Sequence, residues 1–272
     1  MCSSDLGWPC SLLHGRLPGV VYVTVSESRR RELADALAIP AGEIAVVPNG
    51  IDPLAFGQID DHVRRLLGAV DALDADPLIL VPQRVTQHKG LDMVVESAAS
   101  LAGRWPRLRV VVTGPLDPHD PTAAVLARRL LAMRAERGLE RTVRFLFEVG
   151  AAGGPHEVSD ADVAGLYRVS DLVLLPGHVA GFGLPLLEAA VSRLPVVCSD
   201  LPVFREVAGE WAEIVPRQAS GDEVAAAVER GLARPGVRQR RTVVRRYSWS
   251  RILESIEGTI AAALERRSHA HG

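Results

Sequence analysis

The sequence predicts an α/β protein built on a doubly wound parallel sheet, and three observations carry that expectation. Short runs rich in Val, Leu and Ile recur between residues 78 and 215, and helix-period stretches alternate with them. Three of these runs, Leu78–Val81, Leu172–Leu175 and Val196–Cys198, are apolar throughout rather than alternating, the pattern of strands buried on both faces. Glycines and paired cations gather in the loops that leave several of them, the sheet edge where such domains bind ligands.

Taken in order, residues 1–19 form a terminal segment. Within it Met1–Leu6, Met-Cys-Ser-Ser-Asp-Leu, resembles the translation of a short-read sequencing adapter from a GTG start, against the plainer reading of a flexible terminus. On the first reading the chain enters a fold midway. Residues 20–25, Val-Val-Tyr-Val-Thr-Val, read as a buried parallel strand. Ser26 and Ser28 are N-cap candidates for a helix through Leu37, which Pro40 stops. A second strand, Ile44–Val47, runs into the turn Pro48-Asn49-Gly50. Residues 56–76 hold one amphipathic stretch, His62–Leu73, and are expected to be a connector.

From Leu78 the pattern becomes regular. Strands are expected at Leu78–Val81, Arg109–Thr113, Val143–Phe147, Leu172–Leu175, Val196–Cys198 and Glu213–Val215. Helices are expected between them at Leu91–Ala102, Ala123–Arg137, Ala161–Val169, Pro185–Ser192 and Phe204–Val207, with Ser159 and Asp162 capping the third. Helical stretches Asp222–Ala233, Arg238–Arg246 and Ser250–Arg266 follow. The expected division is a small strand–helix–hinge segment at 20–55, the connector at 56–76, a ligand-binding domain at 77–248 and a C-terminal helix and tail at 249–272. The valines of 20–25 lack sheet partners to cover them, so residues 1–55 are expected to be mobile or to promote association.

Charge narrows the partners. Lys and Arg number 31 against 33 Asp and Glu, a formal net charge of −2, so no basic field exists to hold nucleic acid. Cys2, Cys10 and Cys198 show neither metal-ligand spacing nor a disulfide framework, which makes a cytoplasmic location the expectation. No apolar run is long enough for a membrane span, and Met1–Leu12 lacks the pattern of a signal peptide. A small molecule is the expected ligand. No G-x-G-x-x-G follows a strand, and no Walker-type loop is present, which disfavours an oxidoreductase and an NTPase.

Three loops carry candidate chemistry. In Arg84-Val-Thr-Gln-His-Lys89-Gly90, two cations five positions apart lie between a strand and a helix and can reach one anionic group. The plain alternative is a pair of solvated surface cations. In Thr113-Gly114, a glycine at a strand end lets a ligand approach the backbone, and is also a common loop opener. In Ala180-Gly181-Phe182-Gly183-Leu184-Pro185-Leu186-Leu187-Glu188, a glycine-rich loop meets a proline-started helix whose free N–H groups can hold phosphate or sugar oxygens. Glu188, one turn in, can accept ribose hydroxyls or simply complement the helix dipole. His178 can point into the same cleft, against the plainer reading of a structural or surface histidine. His119 in Asp117-Pro-His-Asp-Pro121 reads as a turn rather than a metal ligand, and Cys198 as a small core residue.

Together these residues resemble the donor domain of the family-4 retaining glycosyltransferases of GT-B fold, whose Rossmann-like halves bind donor and acceptor. The likeness is carried by Gln83-Arg84-Val-Thr-Gln-His-Lys89-Gly90, by Val112-Thr113-Gly114 and by Gly181-Phe-Gly-Leu-Pro-Leu-Leu-Glu188-Ala189. Val46-Val-Pro-Asn-Gly50-Ile-Asp52 is similar to the hinge of those enzymes, and Ser199-Asp200-Leu-Pro202 and Tyr247-Ser-Trp249 also fit. The resemblance spans roughly residues 20–266.

It implies that Arg84 and Lys89 are catalytic, gripping the diphosphate of a UDP- or GDP-sugar and stabilising the leaving group without a metal or other cofactor. It further implies that Thr113, Gly114, Phe147, Gly181, Phe182, Gly183, Leu184 and Glu188 bind the donor, and that the sugar passes to an acceptor with retention of configuration. Two departures stand against this. Ala180 occupies the place of the family's first motif glutamate, with His178 as a candidate substitute, and only a remnant of the acceptor-binding domain, residues 20–38, is expected. A catalytically inactive nucleotide-sugar-binding module is therefore the alternative expectation.

Overall fold

The computed structural model describes residues 17, 19–50, 57–116, 122–149, 158–180, 183–208, 210–234, 237, 245 and 248–269. The chain divides into two compact units, one of residues 1–53 with 243–272 and one of residues 54–242.

The smaller unit begins with β1 (Tyr22–Thr24), α1 (Glu27–Leu37) and β2 (Ile44–Val46). The two strands pair in parallel, Tyr22 opposite Ile44 and Thr24 opposite Val46. Of the two candidate caps, Ser26 starts α1: its Oγ accepts from the Arg29 N–H at 3.2 Å. Ala38 in the left-handed region ends the helix ahead of Pro40. Ala34, Leu37, Ile39 and Ile44 form a small core. Val20, Val21, Val23 and Val25 remain nearly half exposed, so the expected buried strand has an uncovered apolar side.

The larger unit contains α2 (Asp61–Ala69), β3 (Leu78–Val81), α3 (Leu91–Ala102), β4 (Arg109–Val112), α4 (Ala123–Glu136), β5 (Val143–Phe145), α5 (Asp160–Val169), β6 (Leu172–Leu175), α6 (Leu184–Val191), β7 (Val196–Ser199), α7 (Pro202–Ala208), β8 (Glu213–Val215) and α8 (Gly221–Leu232). All six strands run parallel in the order β5-β4-β3-β6-β7-β8. Strand alternation divides the core in two. Ile79, Val81, Val110, Val112, Leu172 and Leu174 pack with α3, α4 and α8. Leu78, Leu80, Val111, Val173 and Leu175 pack with α2, α5, α6 and α7. The sheet is therefore doubly wound, as expected.

Helix starts follow local chemistry. Ser159 and Asp162 form the expected capping box on α5, and Ser220 and Glu223 form a second on α8. Two expectations shift. The strand expected at Val143–Phe147 stops at Phe145 and gives way to a 3-10 turn at Leu146–Glu148. Within the stretch expected as a connector, Val63, Leu66 and Leu67 of α2 are buried in the sheet's second core, so this helix is a layer of the larger unit. The reason is close packing: a Cβ on Gly165 of α5 would stand 2.6 Å from the Val63 side chain. The helix expected at Arg238–Arg246 lies almost wholly outside the described residues.

Cys198 on β7 is fully buried, and burial beside Asp200 pushes its thiol up to about 12. It is expected to resist iodoacetamide in the native protein at pH 8 and to react once the chain is unfolded. Peptide mass spectrometry reads this directly, and native labelling at Cys198 would contradict the burial.

The chain returns to the smaller unit with α9 (Trp249–His269). There the Trp249 ring lies so close over Gly50 that a Cβ would stand 2.5 Å from it. The turn expected at Pro48–Gly50 thus leads to a backbone position that a side chain would obstruct. Among the described residues no helix is long and apolar enough to cross a membrane.

Candidate functional site

Strand order reverses between β3 and β6: the chain winds outward from β3 through β4 to β5, then returns to the other side of β3 as β6. A crevice opens at such a switch point, at the carboxyl ends of the two strands. The loops that leave β3 and β6 meet there. Gly90, at φ +60°, packs so closely on the Pro176 backbone that any Cβ would overlap its carbonyl. The His178 N–H donates to the His88 carbonyl at 2.8 Å.

A cavity of about 530 Å³ lies at this junction, lined by Pro82, Gln83, Arg84, Thr86, His88, Lys89, Leu175, Ala180, Gly183, Pro185 and Phe204. Arg84 is exposed and Lys89 half-buried, with Lys89 Nζ reaching the Val179 carbonyl at 3.5 Å. Among the described residues neither cation is paired with a carboxylate, whereas Arg104, Arg107, Arg134 and Arg205 are. Opposite them α6 begins at Gly183, φ +89°, with no side chain capping it and Pro185 in its first turn. Unpaired cations and an uncapped helix start lining one cavity suit an anion.

The other expected residues fall around this centre. Glu188 stands one turn into α6, exposed and outside the cavity lining. Its Oε2 accepts a hydrogen bond from the buried Tyr167 hydroxyl at 2.7 Å. Leu184 is 60% exposed at the first position of α6. Thr113 is buried and ties its N–H to the Val81 carbonyl at 3.1 Å. Phe147 lies past β5, two strands from β3, with its ring centroid 5.1 Å from that of Phe145. Gly181 and Phe182 lie outside the described residues.

Beside the expected approach of a ligand, Gly114 is constrained by the fold itself. The chain approaches its backbone closely: a Cβ there would overlap the Gln83 carbonyl and Arg84 Cα. The Gly114 N–H donates to the Gln83 carbonyl at 3.1 Å, and the Val85 N–H donates to the Pro115 carbonyl at 3.1 Å. Gly114 therefore braces the segment that carries Arg84.

His178 is also displaced from its expected role. It lines a neighbouring cavity with Asp200, Pro216, Arg217 and Gln218, while Ala180 lines the one with Arg84 and Lys89. Its backbone is held on both sides, by His88 and by the Arg217 guanidinium, which donates to its carbonyl at 3.1 Å. Tyr167 was not singled out from the sequence, and Gln83 and His88 entered only as members of the motif that holds Arg84 and Lys89. His88 was legible as the residue next to Lys89 in the cationic loop, whereas the Tyr167 contact joins two helices and has no local signal. Among the described residues no group of three or more His, Cys, Asp or Glu is placed to hold a metal ion.

A cationic loop and an open helix start meet at the switch point of a doubly wound sheet, the place where α/β domains of this class bind their ligands. The chain belongs to the glycosyl transferases group 1 family, whose model matches residues 69–247. It is 26% identical to an uncharacterized glycosyltransferase of Methanocaldococcus jannaschii, over 89% of this chain and 60% of that protein. It is 31% identical to the D-inositol 3-phosphate glycosyltransferase of Actinosynnema mirum, over 83% of this chain and 53% of the relative. The chain thus spans little more than half the length of these two relatives. Its fold is similar to that of Anabaena Alr3699/HepE, solved in complex with UDP and glucose. There the TM-score is 0.52 and the identity 16%, over 88% of this chain and 62% of that one. The fold is that of GT-B glycosyltransferases.

Proposed function

We propose that this chain binds a nucleotide-sugar, a UDP- or GDP-sugar, as the donor-binding part of a family-4 retaining hexosyltransferase. One observation carries the reading: Arg84 and Lys89 line the same cavity as the open start of α6, and neither has a carboxylate partner among the described residues. A diphosphate satisfies both cations and the helix start at once. The names of the relatives, and the UDP and glucose bound to the Anabaena protein, support the same ligand class.

In this reading Arg84 and Lys89 neutralise the charge that develops on the diphosphate oxygens as the glycosidic bond breaks, which needs no metal. Glu188 accepts the ribose hydroxyls. Gly181 to Leu184 line the phosphate and sugar, and Thr113, Gly114 and Phe147 face the nucleoside. Ala180 on the cavity wall favours a second reading, in which the donor is bound and not turned over. A methyl group offers no hydrogen bond to a sugar hydroxyl, and losing a contact that strengthens in the transition state lowers rate more than binding.

Titration calorimetry in excess chelator tests the shared part. UDP or GDP is expected to bind, and absence of binding by both overturns the donor-site assignment. Sugar transfer or release of the nucleoside diphosphate from its sugar, measured on the same chain, separates enzyme from binding module.

A further inference from the structure

We infer that Tyr167 is a positioning residue for the nucleotide ribose, acting by holding the Glu188 carboxylate in a fixed orientation through a phenol–carboxylate hydrogen bond. The inference rests on the donor-site reading above and adds to it a residue from a different helix. Tyr167 lies on α5 and is 3% exposed, whereas Glu188 lies on α6 and is open to solvent. The phenol hydroxyl has one hydrogen to give. Its distances are 2.7 Å to Glu188 Oε2 and 3.3 Å to the Pro185 carbonyl, so the hydrogen goes to the carboxylate.

An exposed glutamate otherwise samples several rotamers, and ordering it when a ligand arrives weakens binding. A buried, rigid phenol removes that freedom beforehand. It also occupies only one of the acceptor sites of the carboxylate; among the described residues no hydrogen bond reaches Oε1, which stays open to ribose hydroxyls. Burial, reinforced by the Glu188 carboxylate, raises the phenol well above its ordinary titration range, so it remains a donor at neutral pH. Pro185 lines the cavity and lies within reach of the same hydroxyl, which places this contact at the ligand end of α6.

Tyr167→Phe removes the hydroxyl and keeps the ring. With whichever of UDP or GDP binds more tightly, this variant is expected to lose about tenfold in affinity, the usual cost of a hydrogen bond to a charged group. For the 2′,3′-dideoxy form of the same nucleotide the loss is expected to stay below about twofold, because that ligand has no hydroxyl for Glu188 to hold. In a Glu188→Gln background the Tyr167→Phe change is expected to add less than about twofold for either ligand. A purely structural role lowers both affinities together, and equal losses overturn the inference while leaving the donor site standing. Failure of the unmodified chain to bind either ribonucleotide overturns the donor site and the inference with it. Should Tyr167→Phe not fold, 3-fluorotyrosine incorporated into the unmodified chain gives a second readout, with Tyr22→Phe and Tyr247→Phe assigning the signal. The Tyr167 fluorine resonance is expected to shift with the ribonucleotide and not with its dideoxy form, and identical responses count against the inference.

Discussion

Replacing Arg84 or Lys89 with alanine is expected to weaken nucleoside diphosphate binding by about 10- to 100-fold each, while nucleoside binding changes by less than about twofold. The asymmetry follows from where the two cations sit. Both line the cavity at the β3–β6 crevice, facing the start of α6 rather than the distant edge at β5. A hydrogen bond to a charged group contributes about 1.5–3 kcal/mol, and each cation lacks a carboxylate that would compete for it among the described residues. Arg84→Lys is expected to recover only part of the loss, because an ammonium cannot match two phosphate oxygens with a planar fork. Affinity should also fall with added salt in the unmodified chain more steeply than in either variant. Calorimetry with the diphosphate and the bare nucleoside side by side decides the matter. Equal losses for both ligands would assign these cations to folding or to general electrostatics, not to a phosphate clamp.

The donor-site reading depends on two loops that the sequence separates by about ninety residues and the topology brings together. The loop after β3 supplies cations, and the loop after β6 supplies a helix start with free N–H groups. Neither is specific alone: exposed arginines are common, and glycine-opened helices are common. Their convergence at the one place where the strand order reverses gives the pair its meaning. Ala180 lines the same cavity, so the departure from the expected motif falls among the residues proposed to meet the ligand. Binding and turnover are therefore separable questions for this chain.

Much of the larger unit was legible because its signals are local. Leu78–Val81 and Leu172–Leu175 are continuous apolar runs, the signature of a strand covered on both faces, and both have those bounds in the fold. Ser159 with Asp162 marks the start of α5, and Pro185 the start of α6, through chemistry confined to one helical turn. Contacts between elements were not legible. The period of α2 showed an apolar face, but nothing in residues 61–69 states that the face meets Gly165 of α5. The link from Tyr167 to Glu188 crosses 21 positions and two helices, and a lone tyrosine in a helix has no mark of it. His178 illustrates the reverse case: its position in sequence placed it near the cleft, while its backbone bonds to His88 and Arg217 set it on the neighbouring cavity.

Gly114→Ala is expected to destabilise the chain by about 3 kcal/mol and to abolish most diphosphate binding, though Gly114 carries no charge and is not among the residues that line the cavity with Arg84 and Lys89. Its backbone does not have the positive φ that favours glycine, so strain is not the reason; space is. The added methyl would overlap the Gln83 carbonyl and the Arg84 Cα, and these are backbone atoms that cannot rotate aside. One of the two loops must move, and the bonds from Gly114 to Gln83 and from Val85 to Pro115 are strained or lost as it does. Because Arg84 begins the displaced segment, a shift of the order of 1 Å carries its guanidinium off the phosphate position, a misplacement that commonly costs tenfold or more. For a domain of this size the stability loss corresponds to a fall of about 6–12 °C in the unfolding midpoint. Gly103→Ala is the control: nothing lies within 4 Å of a Cβ there, so it is expected to change stability by less than about 0.5 kcal/mol and to leave binding intact. Thermal unfolding and calorimetry on both variants test the bracing role. A Gly114→Ala protein that melts and binds like its parent would show that the two loops tolerate separation, and that Arg84 is held by something other than the crossing at Gly114.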